Sequence, residues 1–373
     1  MNTYQKYRFI ILLFIFPFFL KAVTIPFELV DGKIIINVNV KNDQYNFIFD
    51  SGAFTILSPE LKDKVNGRKS NIIFEGVDGN KAKSRMEILT TDNLQISDIK
   101  FKNVNFSFAD VSWMSSRACK KISGIFGANM MEEKVWQIDF KNKTITISEE
   151  ASKIDSGSAM IPFSPENFTG VPKVKVKIRN QVLDYIFDTG SGMGFTLDYT
   201  YYNLIHDDNF LTFEGLLAQS VHSVSKGERQ VDLMETEING NNLGPQMIDS
   251  NPESRNLIGT RFMENYLVDL DFINKKIVLH KTDTLPRYDS FGISVAPIGG
   301  SLLIVNKLQI PELTELKLKD RIIKVNHIDT GKINSEQFCD IKKIFDNDQK
   351  IIVETESGRK ISLEKKNVLQ YLK

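Results

Sequence analysis

The chain has 373 residues, enough for two to three domains, with 42% apolar and 25% charged side chains. That composition suits a globular protein with a substantial core. Lys plus Arg and Asp plus Glu are equal at 47 each, so bulk charge offers nothing to attract a nucleic acid. The two cysteines, Cys119 and Cys339, lie far apart and form no CxxC pair, and both are expected as small buried apolar side chains rather than a disulfide framework.

Lys6 and Arg8 precede an unbroken apolar run over 9–20, followed by Lys21 and Ala22. A basic start, a short apolar stretch and a small residue read as a secretory signal over 1–22. The run is short for a membrane span, which needs about 20 residues. Export to the periplasm, the cell envelope or the medium follows, with an N-terminal membrane anchor if the signal stays uncleaved. No cysteine adjoins Ala22, which excludes a lipid attached there.

The next segments form an internal repeat. Ile36, Val38 and Val40 alternate with other residues, pass a polar link at 41–43, and lead through a second apolar run to Asp50. Val174, Val176 and Ile178, a link at 179–181 and a further apolar run lead to Asp188 at the same spacing. Period-two alternation broken by a polar link is a β-hairpin, here delivering an Asp at the end of its second strand. Downstream, Gly124-Ile125-Phe126-Gly127 matches Asn256-Leu257-Ile258-Gly259, and the segment from Asp139 matches the segment from Asp271. Asp139 and Asp271 sit in strand–turn–strand contexts and are read as structural. The repeat defines a first lobe at 24–150 and a second at 158–282, with a link around Gly157. A short helix is expected at 59–65.

Each hairpin ends in the same five-residue chemistry, Phe49-Asp50-Ser51-Gly52-Ala53 and Phe187-Asp188-Thr189-Gly190-Ser191. One copy would be an ordinary turn. Two copies in matching surroundings are two half-sites, each giving a carboxylate to a shared centre. Two carboxylates in contact cannot both ionise, so they share a proton and titrate as a pair. A third match, Asp329-Thr330-Gly331, lacks the apolar run and a partner copy, and reads as a surface turn.

These motifs resemble the aspartic proteases, pepsin-like and retropepsin-like, over roughly 24–282. The nearer similarity is to bacterial retropepsin-like proteins carrying both repeats in one chain. The resemblance implies a mostly β, bilobal closed-barrel fold with a cleft between the lobes. It implies Asp50 and Asp188 as the catalytic pair, acting on peptides or unfolded-protein substrates without metal or cofactor. Ser51 and Thr189 would cross-link the two loops, Gly52 and Gly190 would permit the tight turns, and Ala53 and Ser191 would follow, Ser191 with a hydrogen bond to the pair. Flaps over the cleft are expected at Gly76, Val77, Asp78 and Gly79 in lobe one, and near Ser225 and Lys226 in lobe two. The four histidines show no metal-ligand spacing, and Trp113 and Trp136 read as core.

Residues 283–373 change character. The run Leu316-Lys317-Leu318-Lys319-Asp320-Arg321-Ile322-Ile323-Lys324-Val325-Asn326 resembles bacterial PDZ domains, with Lys319 where that family has Gly. A helix at 335–345 and a closing hairpin at 350–363 complete a small α+β PDZ-like domain. Its ligand loop is expected near Ile298-Gly299-Gly300-Ser301, and its ligand would be a peptide added as a strand. The alternative to an endopeptidase is a peptide-binding or envelope scaffold protein that does not cleave.

Overall fold

The computed structural model describes residues 22–282 and 288–372. The apolar run at 9–20 lies outside the described residues. The remainder is mostly β, and both predicted hairpins are present. Lys33–Val40 pairs antiparallel with Asp43–Asp50, and Pro172–Ile178 with Gln181–Phe187. The 59–65 segment forms a 3-10 turn, Pro59–Leu61, running into the helix Lys62–Val65.

The lobes are joined by a six-stranded sheet whose four central strands come from the second half of the repeat, with Val23–Pro26 and Ala159–Pro162 at its edges. Val135–Asp139 and Thr144–Ser148 form one hairpin, and Tyr266–Asp271 and Lys276–Lys281 the other. The hairpins meet at the centre, where Ile138 faces Val268 in an antiparallel pairing. Asp139 and Asp271 each accept the backbone N–H three residues on, from Asn142 and Asn274 at 2.9 Å, and so close the turns of these hairpins. Above this sheet one continuous apolar cluster crosses both lobes. In lobe one Phe49, Phe126 and Trp136 pack with ring centroids 5.3–5.8 Å apart. Burying three aromatic side chains together beneath the Asp50 loop gives that loop a rigid floor.

The C-terminal segment folds as α+β. The strands Ile293–Ile298, Ser301–Leu308, Arg321–Val325, Lys350–Thr355 and Lys360–Glu364 are joined to the helix Ser335–Asn347. That helix begins with a capping box in which Asn334 and Gln337 satisfy each other's backbone N–H groups. Lys319 adopts φ +69°, the left-handed conformation that a Gly would take without strain. Residues 299 and 300 form a two-residue hairpin turn, both with positive φ, between Ile298 and Ser301. They connect Ile293–Ile298 to Ser301–Leu308.

This segment is not a loosely appended unit. Ser301–Leu308 pairs antiparallel with the lobe-two strand Leu211–Gln219, so one sheet runs through both. A Cβ at Gly215 would lie 2.2 Å from the Val305 carbonyl oxygen, so only glycine admits this approach. Leu211, Phe213, Val231 and Met247 of lobe two share an apolar cluster with Leu302, Ile304 and Ile341.

The cysteines overturn the sequence expectation. Cys119, at the end of the lobe-one helix Ser112–Ala118, and Cys339, in the helix Ser335–Asn347, form a disulfide with Cα atoms 5.6 Å apart. Folding carries the C-terminal helix across lobe one and closes a sequence separation of 220 residues. Spacing along the chain carries no trace of such a contact.

Candidate active site

Each hairpin strand carrying an Asp is flanked by a parallel strand from later in its own lobe. Phe49 lies beside Phe126 and Asp50 beside Gly127, while Ile186 and Phe187 lie beside Leu257 and Ile258. The later strands hold each Asp at the end of a fully bonded strand, and Asp188 N donates to Ile258 O at 2.8 Å. Each loop then turns on its own Asp. Gly52 N donates to Asp50 Oδ1 at 2.9 Å, and Gly190 N and Ser191 N donate to Asp188 Oδ1 at 2.8 and 3.1 Å.

The two loops interlock reciprocally. Ser51 N donates to Thr189 Oγ1 at 2.9 Å and Thr189 N to Ser51 Oγ at 3.0 Å. The two hydroxyls then donate onward, Ser51 Oγ to Phe187 O at 2.6 Å and Thr189 Oγ1 to Phe49 O at 2.9 Å. Ser51 and Thr189 are fully buried, so every one of these groups would be costly to leave unpaired. The lattice presses the two Asp-containing loops face to face. A Cβ at Gly190 would lie 2.1 Å from Asp50 Oδ2, and one at Gly52 would lie 2.4 Å from Asp188 Cγ. Each carboxyl thus lies directly against the glycine of the opposite loop, which brings the two Asp side chains side by side. Burial, and next the charge and hydrogen bond of Asp188, raise the Asp50 carboxyl well above its ordinary value.

Several assignments change in detail. The Ser191 hydroxyl accepts from Met193 N at 3.4 Å, and it is the Ser191 backbone N–H that reaches the pair. Ala53 is tied to the following strand by Ala128 N, which donates to Ala53 O at 2.8 Å. Trp136 is fully buried, and half-buried Trp113 packs against the small apolar cluster of lobe one around Ile35, Ile48 and Met114 while also lining the cleft.

Lys33 carries no motif and was missed. It opens the first hairpin strand, and its Nζ donates to Gly190 O at 2.7 Å, across the lobe interface. Its positive charge opposes the rise of Asp50. Replacing Lys33 by Met disfavours every ionised form of the pair. Any activity that depends on the pair should therefore shift both limbs of its pH profile to higher pH, as kcat/KM measured against pH would register. An unshifted profile would remove Lys33 from the site.

The cleft above the pair has a volume of ≈ 1370 Å³ and is roofed by two hairpins. The lobe-one hairpin, Arg68–Val77 with Lys83–Thr91, carries Gly76, Val77, Asp78 and Gly79 at its tip, and all four line the cleft. The lobe-two hairpin, Leu211–Gln219 with Val224–Ile238, turns at 220–223. Ser225 and Lys226 therefore stand behind the tip, on the returning strand, and residues 217–222 line the cleft in their place. The small and polar residues at 223–227, ending in Gly227, read as a turn. Gly227 is instead absorbed into a strand at φ +128°.

The tips touch. Asp78 Oδ2 accepts from Ser223 Oγ at 2.6 Å and from His222 N at 3.3 Å, while its Oδ1 accepts from Asn80 N and Ala82 N at 2.9 Å. Burial works against the charge on Asp78, but the Ser223 hydroxyl and these N–H groups hold its carboxyl below the usual range. Asp78→Ala removes both the turn anchor and the tip-to-tip link. Amide exchange across 68–91 is expected to accelerate about tenfold, and exchange at the wild-type rate would show that the roof does not depend on this carboxylate.

Residues 36–130 match the family described as aspartyl protease. The match covers the lobe-one hairpin, Asp50 and the Ile125-Phe126-Gly127 strand. The structure is also similar to the crystal structure of an aspartic proteinase from Irpex lacteus. That similarity has 11% sequence identity and a TM-score of 0.43, and covers 70% of this chain and 98% of the other. No curated protein matches the chain.

Proposed function

We propose that this chain is an exported aspartic endopeptidase that hydrolyses peptide bonds with Asp50 and Asp188. One observation carries the reading: two carboxyl groups, brought side by side by interlocked loops, sit at the base of a large cleft beneath two touching hairpins. Such a pair holds one proton at working pH. The ionised carboxyl takes a proton from a water lodged between the two, while the protonated one donates to the carbonyl oxygen of the scissile amide. The water oxygen bonds to the carbonyl carbon, and the resulting intermediate collapses as the amide nitrogen is protonated and leaves. The glycine N–H groups on Asp50 and Asp188 orient the carboxyls, and the Ser51–Thr189 lattice fixes their separation. The roof excludes water from the reacting atoms and strengthens the electrostatics beneath it.

Export is supported by the N-terminal apolar run and by the Cys119–Cys339 disulfide, since disulfides persist in oxidising compartments. Fractionation of cells making the full chain tests it, and protein confined to the cytosol with both thiols free would refute export. For the C-terminal domain the proposal is a PDZ-like peptide binder. Among the described residues, Ile293–Ile298 pairs with a strand on one side only, and the helix Ser335–Asn347 packs against it. A peptide added at that edge would have backbone partners.

The test of the main reading is cleavage of an unfolded protein by the purified chain, from acidic to neutral pH, beside Asp188→Ala. Cleavage lost in the variant supports the shared-carboxyl mechanism. An uncut peptide recovered from the wild-type cleft at every pH would favour a binding protein instead.

A further inference from the structure

We propose that the C-terminal domain is a clamp across one end of the cleft: its helix Ser335–Asn347 forms part of the substrate-binding wall, and the Cys119–Cys339 disulfide holds it there. The substrate part of this proposal rests on the endopeptidase reading; the clamp itself does not.

The domain grips both lobes, by very different means. On lobe two the attachment is broad, a shared sheet and a shared apolar cluster. On lobe one it is narrow. Apart from the disulfide, Lys342 Nζ lies 2.5 Å from Asp31 Oδ1 and 3.1 Å from Asp346 Oδ2, with the Lys342 side chain only 12% exposed. The disulfide is the covalent restraint on this side, and the ion pair adds to it. Between the two attachments lies the cleft. Lys343 and Asp346 of the helix line it together with Trp113 and Arg117 of lobe one and Arg261 and Glu264 of lobe two.

The lobe-one contact also leads directly to the loop bearing Asp188. Asp31, which holds Lys342, is followed by Gly32 and Lys33. The Gly32 carbonyl accepts from Thr260 Oγ1, whose hydroxyl oxygen also lies 3.1 Å from Ser191 O. A Cβ at Gly32 would meet Gly192 Cα at 2.6 Å, so the two loops touch backbone to backbone. Lys33 then binds Gly190 O. Three consecutive residues thus join the clamp to the Asp188 loop.

The tether is open to thiol chemistry. Cys119 is exposed, and Cys339 half-buried. A dithiol reductant attacks the Cys119 sulfur through its thiolate and forms a mixed disulfide, releasing Cys339 as a thiol. The reductant's second thiol then displaces Cys119. Two electrons and two protons pass to the protein, which ends with two cysteines, and the reductant ends as a disulfide. Released from lobe one, the helix would remain attached to lobe two and swing away from Trp113.

The experiment compares the full chain as isolated, the same chain treated with dithiothreitol, and the Cys119→Ser/Cys339→Ser variant, with circular dichroism as the check on folding. Hydrogen exchange and tryptophan emission are read first, since Trp136 is buried and Trp113, on the helix that ends at Cys119, lines the cleft together with Lys343 and Asp346 of the clamp helix. On reduction, amides of the helix Ser335–Asn347 and of residues 31–33 are expected to exchange at least about tenfold faster, with a red shift from Trp113. The double variant should match the reduced protein and ignore dithiothreitol. KM for a fluorogenic peptide spanning the cleft should change severalfold in the reduced form. Unchanged exchange and emission on reduction would overturn the clamp, as would free thiols in the untreated protein. A freed helix with unchanged KM would overturn its place in the substrate wall. If no form cleaves any peptide while exchange still responds to reduction, the endopeptidase reading fails and the clamp stands.

Discussion

Replacing Asp188 by Asn is expected to lower kcat for peptide hydrolysis by about 10³- to 10⁴-fold, with the fold intact. The amide fills the same space and can hydrogen-bond to Asp50, but it cannot share a proton, so the acid and base roles are no longer available together. The same reasoning covers Asp50→Asn, where the structure predicts a second, opposite effect. Burial and the neighbouring Asp188 raise the folded-state pKa of Asp50 above its unfolded value near 3.8. For a carboxyl raised in this way, the folded state binds the proton more tightly. Its contribution to stability is complete below the unfolded pKa and is lost as pH rises through the folded pKa. At neutral pH the pair therefore weakens the fold. Asp50→Asn should be inactive yet melt at a higher Tm than wild type at pH 7, with the two melting curves converging toward about pH 4. Activity retained in either variant would sink the pair. A Tm that falls at neutral pH would show that these carboxyls are not a strained couple.

Gly190→Ala is the second change with a large expected effect, although it removes no functional group. The added methyl would stand 2.1 Å from Asp50 Oδ2, well inside contact distance, and its neighbours are held by the Ser51–Thr189 lattice. The loops must separate to admit it. Overpacking of this kind costs about 1–3 kcal/mol of stability, and a displacement of the pair by a fraction of an ångström costs activity by about 10²-fold. Gly52→Ala, with its methyl 2.4 Å from Asp188 Cγ, should behave alike. The chain provides its own control. At Gly331 of the third Asp-Thr-Gly a Cβ would meet only Asp329 Oδ1, at 3.2 Å. Gly331→Ala should change stability by less than about 0.5 kcal/mol and leave hydrolysis untouched. Thermal denaturation and kcat/KM on the three variants decide the matter. Equal tolerance at all three glycines would mean that the two loops do not face each other.

The three Asp-Ser/Thr-Gly copies show how far local sequence reaches. In each, the Asp Oδ1 accepts the N–H of the glycine two residues on, at 2.8–2.9 Å. That turn is therefore the same three times over. The hydroxyls differ: Thr330 donates to Ile322 O eight residues back, whereas Ser51 and Thr189 donate across to the other lobe, to Phe187 O and Phe49 O. The longer matching apolar hairpins before Asp50 and Asp188, without a counterpart before Asp329, are legible in the residue order; the crossing of the hydroxyls is not.

Other features lie beyond such reading. Lys33 belongs to an ordinary turn, and its meaning arises only because lobe two places the Gly190 carbonyl within 2.7 Å. The lobe-two roof was misplaced by a few residues because glycine at 227 suggested a turn where strand pairing continues. Trp113 packs on a lobe-one apolar cluster as its type suggests, but an isolated tryptophan gives no sign that it also faces the cleft.

From sequence alone came the doubled half-site, the hairpins that deliver Asp50 and Asp188, the strand–turn–strand units at Asp139 and Asp271 and the α+β character of the C-terminal part. All of these rest on interactions between near neighbours, which periodicity and turn residues record. The tertiary structure alone decided that the two roof tips meet through Asp78, that Cys119 and Cys339 join, and that the last domain spans the cleft. Those contacts bring together residues far apart in the chain, and their geometry is set by how whole lobes pack rather than by any local pattern.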